Sequence, residues 1–225
     1  MSITTTPNLG LEKPAYNTEK DTFVFEMTGN ADKIDAFLRK VVQRVASGDQ
    51  TSGTLTVALP TTAGTSYRLV VENIRSTTSD NTQLFCRLNA GGGILSGATD
   101  YEFARRDLSN ESGGTQALAG SAGAAAILLT PATLKGASTS QPYRHRLVLE
   151  VTSRVYDSGL KYDINVSAVA TYRTTGGYRG RSETSASLVA APSGQLVELQ
   201  IGTVLAGNYA HGLALNYALD KLPAF

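Results

Sequence analysis

The chain has 225 residues, 20 basic and 19 acidic, and a formal net charge of +1. A near-neutral balance leaves no electrostatic footprint for nucleic acid, and a single cysteine, Cys86, excludes an internal disulfide. This length holds one large β domain, or a β domain with an N-terminal appendage, and buries about 70% of its unfolded surface without covalent staples.

Residues 1–21 are polar, and Pro7 and Pro14 discourage regular structure. No apolar core of signal-peptide length precedes residue 21, and no run approaches the ~18 apolar residues of a membrane helix. A secretory leader and membrane insertion are therefore not expected. Residues 22–27 (TFVFEM) read as a short strand, and the following TGN supplies a turn with Asn30 as helix cap. Over residues 31–46, Ile34, Phe37, Leu38, Val41, Val42 and Val45 recur at i, i+3, i+4, i+7, i+8 and i+11. That spacing predicts an amphipathic helix about 24 Å long. Asp32 and Asp35 early, with Arg39, Lys40 and Arg44 late, suit its dipole.

From Thr54 the period changes to two, with Leu55, Val57 and Leu59 on one face until Pro60. Residues 66–75, 82–89 and 100–106 read as further strands, with a glycine turn at Gly91–Gly93. Residues 109–126 (SNESGGTQALAGSAGAAA) are small and low in complexity, and read as a loop that orders in an assembly. The second half alternates cleanly: Leu147, Leu149 and Val151; then Tyr162, Ile164, Val166, Ala168, Ala170 and Tyr172; then Val197, Leu199, Ile201 and Leu205; then Leu213, Leu215, Tyr217 and Leu219. Eight to ten strands with no helix-length links predict a mainly β fold. The expected form is an antiparallel β-sandwich, jelly-roll-like, with an N-terminal extended segment and one amphipathic α-helix. The expected division is residues 1–50 for the N-terminal segment and 51–225 for the β domain.

No Walker loop, dinucleotide fingerprint, zinc spacing or HExxH motif is present, so no enzyme activity, cofactor or metal is expected. Paired carboxylates such as Asp100 with Glu102, or Glu150 with Asp157 or Asp163, fall on strands and turns where solvated acids are ordinary. Cys86, in QLFCRL, reads as a buried small hydrophobe. The stretch TYRTTGGYRGR, residues 171–181, clusters Tyr172, Arg173, Tyr178, Arg179 and Arg181 at a loop. Tyrosine and arginine are what a sugar- or protein-binding loop uses, through stacking and bidentate hydrogen bonds. The competing reading is a solvated hairpin with its aromatics packed along it. PYRHR, residues 142–146, is a weaker version of the same pattern.

The lead-in LGLEKP followed by KIDAFL resembles the N-terminal segment of tailed-bacteriophage fibre and virion-attachment proteins. YRLVVENIRS, LFCRLNAGGG and YEF are similar to the opening of small jelly-roll domains in phage tail proteins. The tryptophan common in such lead-ins is absent, with Phe23 or Phe25 in its place, and AGNYAHGLALNY is a poor match to the usual closing element. The resemblance implies a virion structural protein made in a host cytoplasm, a homotrimer that docks to other virion proteins through residues 1–50. Leu9, Leu11, Pro14, Ile34, Phe37, Leu38, Val41, Val42 and Val45 become candidate docking or oligomer contacts. The β domain would project for host attachment and meet a surface glycan. Two alternatives remain open at this point, a capsid-decorating protein and a carbohydrate-binding module.

Overall fold

The computed structural model describes residues 4–5, 12–13, 43–60, 65–76, 81–110, 114–135, 145–156, 161–211 and 213–222. The chain divides into two compact units, residues 1–43 with 222–225, and residues 44–221. In the first, β1 (Thr4–Thr5) and β2 (Glu12–Lys13) pair antiparallel, Thr4 opposite Lys13. The strand expected at 22–27 lies outside the described residues. So do Leu9, Leu11, Pro14, Ile34, Phe37, Leu38, Val41 and Val42.

The last turn of the expected helix is corrected. Residues 43–46 belong to β3 (Gln43–Gln50), and no helix occurs among the described residues. Tertiary pairing outweighs the helical period here. β3 hydrogen-bonds to β15 (Leu213–Lys221), Arg44 pairs with Asp220, and Asn216 donates to Asp49. Val45, a candidate docking contact, is partly buried and packs against the core of the β unit.

The larger unit has two sheets. In the first, the strands run in the order β3, β15, β5 (Ser66–Ser76), β10 (His145–Tyr156), β11 (Lys161–Arg173), β12 (Arg179–Leu188), β7 (Tyr101–Ser109) and β8 (Thr115–Ala124). In the second, β13 (Leu196–Leu205) pairs with β6 (Gln83–Ala90) on one side, and with β4 (Leu55–Ala58) and β14 (Asn208–His211) on the other. β6 in turn pairs with β9 (Ile127–Leu128). Every pair whose register is described is antiparallel. Buried side chains of both sheets form one apolar cluster. It includes Leu69, Val71, Leu147, Leu149, Ile164 and Val166 from the first sheet, and Leu55, Leu88, Leu199 and Ile201 from the second. Cys86 lies in this cluster, wholly buried.

The alternation of β4 and β11 matches the sequence reading residue for residue on the buried face. Three local readings change. Residues 115–124, expected as loop, form β8, because β7 offers an antiparallel template that needs no hydrophobic period from its partner. β12 was not anticipated, since Arg179 to Leu188 is rich in Ser, Gly and charge, yet Gly180, Ser182, Thr184 and Ala186 face inward. In β13 a register shift between Leu196 and Glu198 buries Leu196 rather than Val197, and Leu205 is only half-buried.

Candidate functional site

The cluster at residues 171–181 becomes the hairpin between β11 and β12. Its five-residue turn is internally bonded. Thr174 N donates to Tyr178 O at 2.9 Å, Gly177 N to Thr174 O at 2.8 Å, and Tyr178 N to Thr174 Oγ1 at 3.2 Å. Gly177 sits at φ +84°, a conformation that excludes most side chains. Arg173 Nη1 donates to Gly177 O at 2.9 Å and clasps the turn from its own strand end.

Register then decides which side chains meet. Arg173 lies directly opposite Arg179, and Thr171 opposite Arg181. All four face outward, and two like charges directly across an antiparallel pair are locally unfavourable. Glu183 relieves one of the three guanidinium groups, pairing with Arg181 at 2.8 Å. Arg179 is exposed and has no side-chain partner among the described residues. Arg173, Arg179 and Arg181 line one open pocket of ≈ 510 Å³, completed by Leu108, Asn110, Thr171, Tyr172 and Gly180.

Tyr172 has a different role from the one its sequence neighbourhood suggested. It is buried, and its ring lies against Gly180 so closely that a Cβ there would come within 2.4 Å. Its hydroxyl reaches Ser182 at 3.4 Å, and burial raises its pKa. Tyr172 is thus the floor of the pocket rather than a stacking platform. Tyr178, 44% exposed, stands on the turn and does not line the pocket.

Two supporting groups carried no legible signal. His145 opens β10 and is buried. Arg173 N donates to its Nδ1 at 3.1 Å, so its proton sits on Nε2, which donates to Lys135 O at 2.9 Å. Burial lowers its pKa, in keeping with this neutral tautomer. The imidazole therefore fixes the backbone of Arg173. Beneath the hairpin, Arg105 and Asp107 form a buried pair with Nε–O distances of 2.9 and 3.0 Å. Ser182 Oγ donates to Asp107 at 2.5 Å, and Arg105 Nη1 donates to Leu128 O at 3.3 Å, tying β7 to β9. Inward-facing charges on an alternating strand look like any other residue until their partners are known.

No family model matches this chain, and no curated protein or solved structure matches it at a significant level. Among the described residues no group of three or more His, Cys, Asp or Glu is placed to hold a metal ion. The carboxylates considered above have local engagements. Asp100 accepts from Gly97 N at 2.6 Å, Ser187 donates to Glu102 at 2.6 Å, and Glu150 pairs with Arg68 at 2.8 Å. Asp163 is exposed opposite Arg154, and Asp157 lies outside the described residues. Burial pushes the Cys86 thiol up, away from the reactive thiolate. What the hairpin offers is a cationic pocket with planar forks, the geometry that grips a carboxylate, sulfate or phosphate.

Proposed function

We propose that this chain is a tailed-phage virion structural protein, a fibre or spike component that docks to the particle through residues 1–50. In this reading its β domain is a jelly-roll-like sandwich that adheres to a host surface. The sandwich assignment draws on the apolar cluster shared by the two sheets. The docking role draws on the lead-in LGLEKP and KIDAFL. The observation that carries adhesion is the Arg173–Arg179 cross-strand pair with Arg181 beside it, around one open pocket. Like charges held face to face cost stability locally, and an anionic ligand offsets that cost. An acidic surface glycan supplies both the anion and a ring for the exposed Tyr178.

The test combines particles and cells. Antibody against the chain should decorate purified virions, and the purified protein should bind host cells in a salt-sensitive manner. The double variant Arg179→Ala/Arg181→Ala should lose cell binding while its unfolding midpoint holds. Undecorated virions refute the virion role and leave a carbohydrate-binding module. Label confined to the head, with no cell binding, favours the capsid-decorating alternative.

A further inference from the structure

β8 is an outer strand of the eight-stranded sheet. Its sequence, TQALAGSAGA, has no charge and no proline over ten residues. Its first half is open on both faces: Gln116, Ala117, Leu118 and Gly120 are all exposed, Leu118 at 79%. Among the described residues no strand pairs with its outer side. Natural sheets blunt such edges with charge, proline, bulges or a covering element, because a row of free N–H and C=O groups pairs with any available strand. The opposite edge is handled in that way, with Arg44 and Asp49 on β3 engaged by β15. On β8 the one irregularity is a register shift against β7 between Tyr101 and Phe103, which leaves residues 115–120 regular.

We propose that β8 is an interface between copies of this chain, residues 116–120 pairing antiparallel with the same residues of a second copy about a two-fold axis. Alanine flanks Leu118 on both sides, at 117 and 119. Self-pairing centred there sets each Ala117 opposite an Ala119 and brings the two Leu118 side chains together, with no like charge in contact. The nearest charges are on β7: Arg105 and Asp107, opposite Ala119 and Ala117, neutralise each other, and the outward one is Arg106, opposite Leu118 and 3.4 Å from Gln116 Oε1. Three strand spacings, about 14 Å, would separate it from its copy, beyond the ~8 Å screening length. A two-fold arrangement also closes, so that one pairing leaves no further edge of this kind exposed. The pairing accounts for an apolar side chain exposed on a strand that carries nothing to protect it. It stands independently of the adhesion reading.

The experiment uses the full chain. Light scattering over a concentration series should show a species of twice the chain mass that dissociates on dilution. Hydrogen exchange of residues 116–120 should slow as that species forms. Leu118→Lys sets two ammonium groups against each other at the axis, and Ala117→Lys places two diagonally across the pair on the opposite face. Each should return the mass to that of one chain with the unfolding midpoint unchanged, as expected of exposed positions. A wild-type chain that stays monomeric throughout overturns the proposal. So does a trimeric mass that Leu118→Lys leaves unaltered, and so does protection of residues 116–120 that is independent of concentration, which would place a cover within the same chain.

Discussion

Replacing Asp107 tests the buried polar network under the hairpin. Arg105 and Asp107 are both over nine-tenths buried, and Asp107 accepts a bifurcated hydrogen bond from the Arg105 Nε–H and another from Ser182 Oγ. Asp107→Ala removes both and leaves a guanidinium in the interior with one neutral acceptor, Leu128 O. Removing one member of a buried ion pair costs about 3–5 kcal/mol, because the remaining charge keeps its full desolvation penalty. With a urea m-value of about 2 kcal/mol/M, the unfolding midpoint should fall by about 2 M. The double variant Arg105→Met/Asp107→Leu removes both charges and fills the space with apolar atoms. Such exchanges are neutral or stabilising, so its midpoint should return to within about 1 kcal/mol of wild type. Urea unfolding followed by circular dichroism measures all three proteins. An Asp107→Ala protein within about 1 kcal/mol of wild type would refute the reasoning. So would a double variant as unstable as the single one, since the penalty would then not come from an orphaned charge.

Tyr101 should behave as a polar bolt in an apolar core: its hydroxyl accepts from Leu88 N at 2.8 Å and donates to Leu95 O at 2.9 Å. Tyr101→Phe leaves both backbone groups unpaired and should cost about 1–3 kcal/mol in urea unfolding. Gly180→Ala should cost about 1–3 kcal/mol through overpacking against Tyr172, and a thermal melt should show Tyr172→Leu relieving part of that cost. His145 gives the fold a pH dependence. Burial lowers its folded-state pKa below the ~6.5 of the unfolded chain, so between the two values the unfolded state binds more protons. Its contribution is therefore present above about pH 6.5 and lost as pH falls through the window below it, by at most ~1.4 kcal/mol per pH unit. Unfolding midpoints at about pH 7.5 and about pH 5 should differ more for wild type than for His145→Gln, and equal differences would assign the slope to other groups.

Much of the β unit was legible because an antiparallel strand with one buried face writes its period into the chain. β11 is the clearest case, with Tyr162, Ile164, Val166, Ala168, Ala170 and Tyr172 inward as their alternation requires. That same alternation turns Tyr172 inward, where it forms the floor of the pocket. β8 and β12 left no such record. Small and polar residues satisfy a strand whose partner supplies the hydrogen bonds, and a composition of Ala, Gly and Ser fits a loop equally well. The expected helix was overruled over residues 43–46, where pairing to β15 set the backbone.

The candidate site divides along the same line. Residue types within eleven positions disclosed that arginines gather near a turn. Only the strand register set Arg173 across from Arg179 and turned Tyr172 inward. His145 behind Arg173, and Arg105 with Asp107 below, come from strands distant in sequence. Periodicity is a local property, so the sequence by itself determined where many strands lie and, for β4, β10, β11 and β15, which face is buried. Pairing partners, register shifts and buried polar contacts depend on residues far apart in the chain, and the tertiary structure alone decided them.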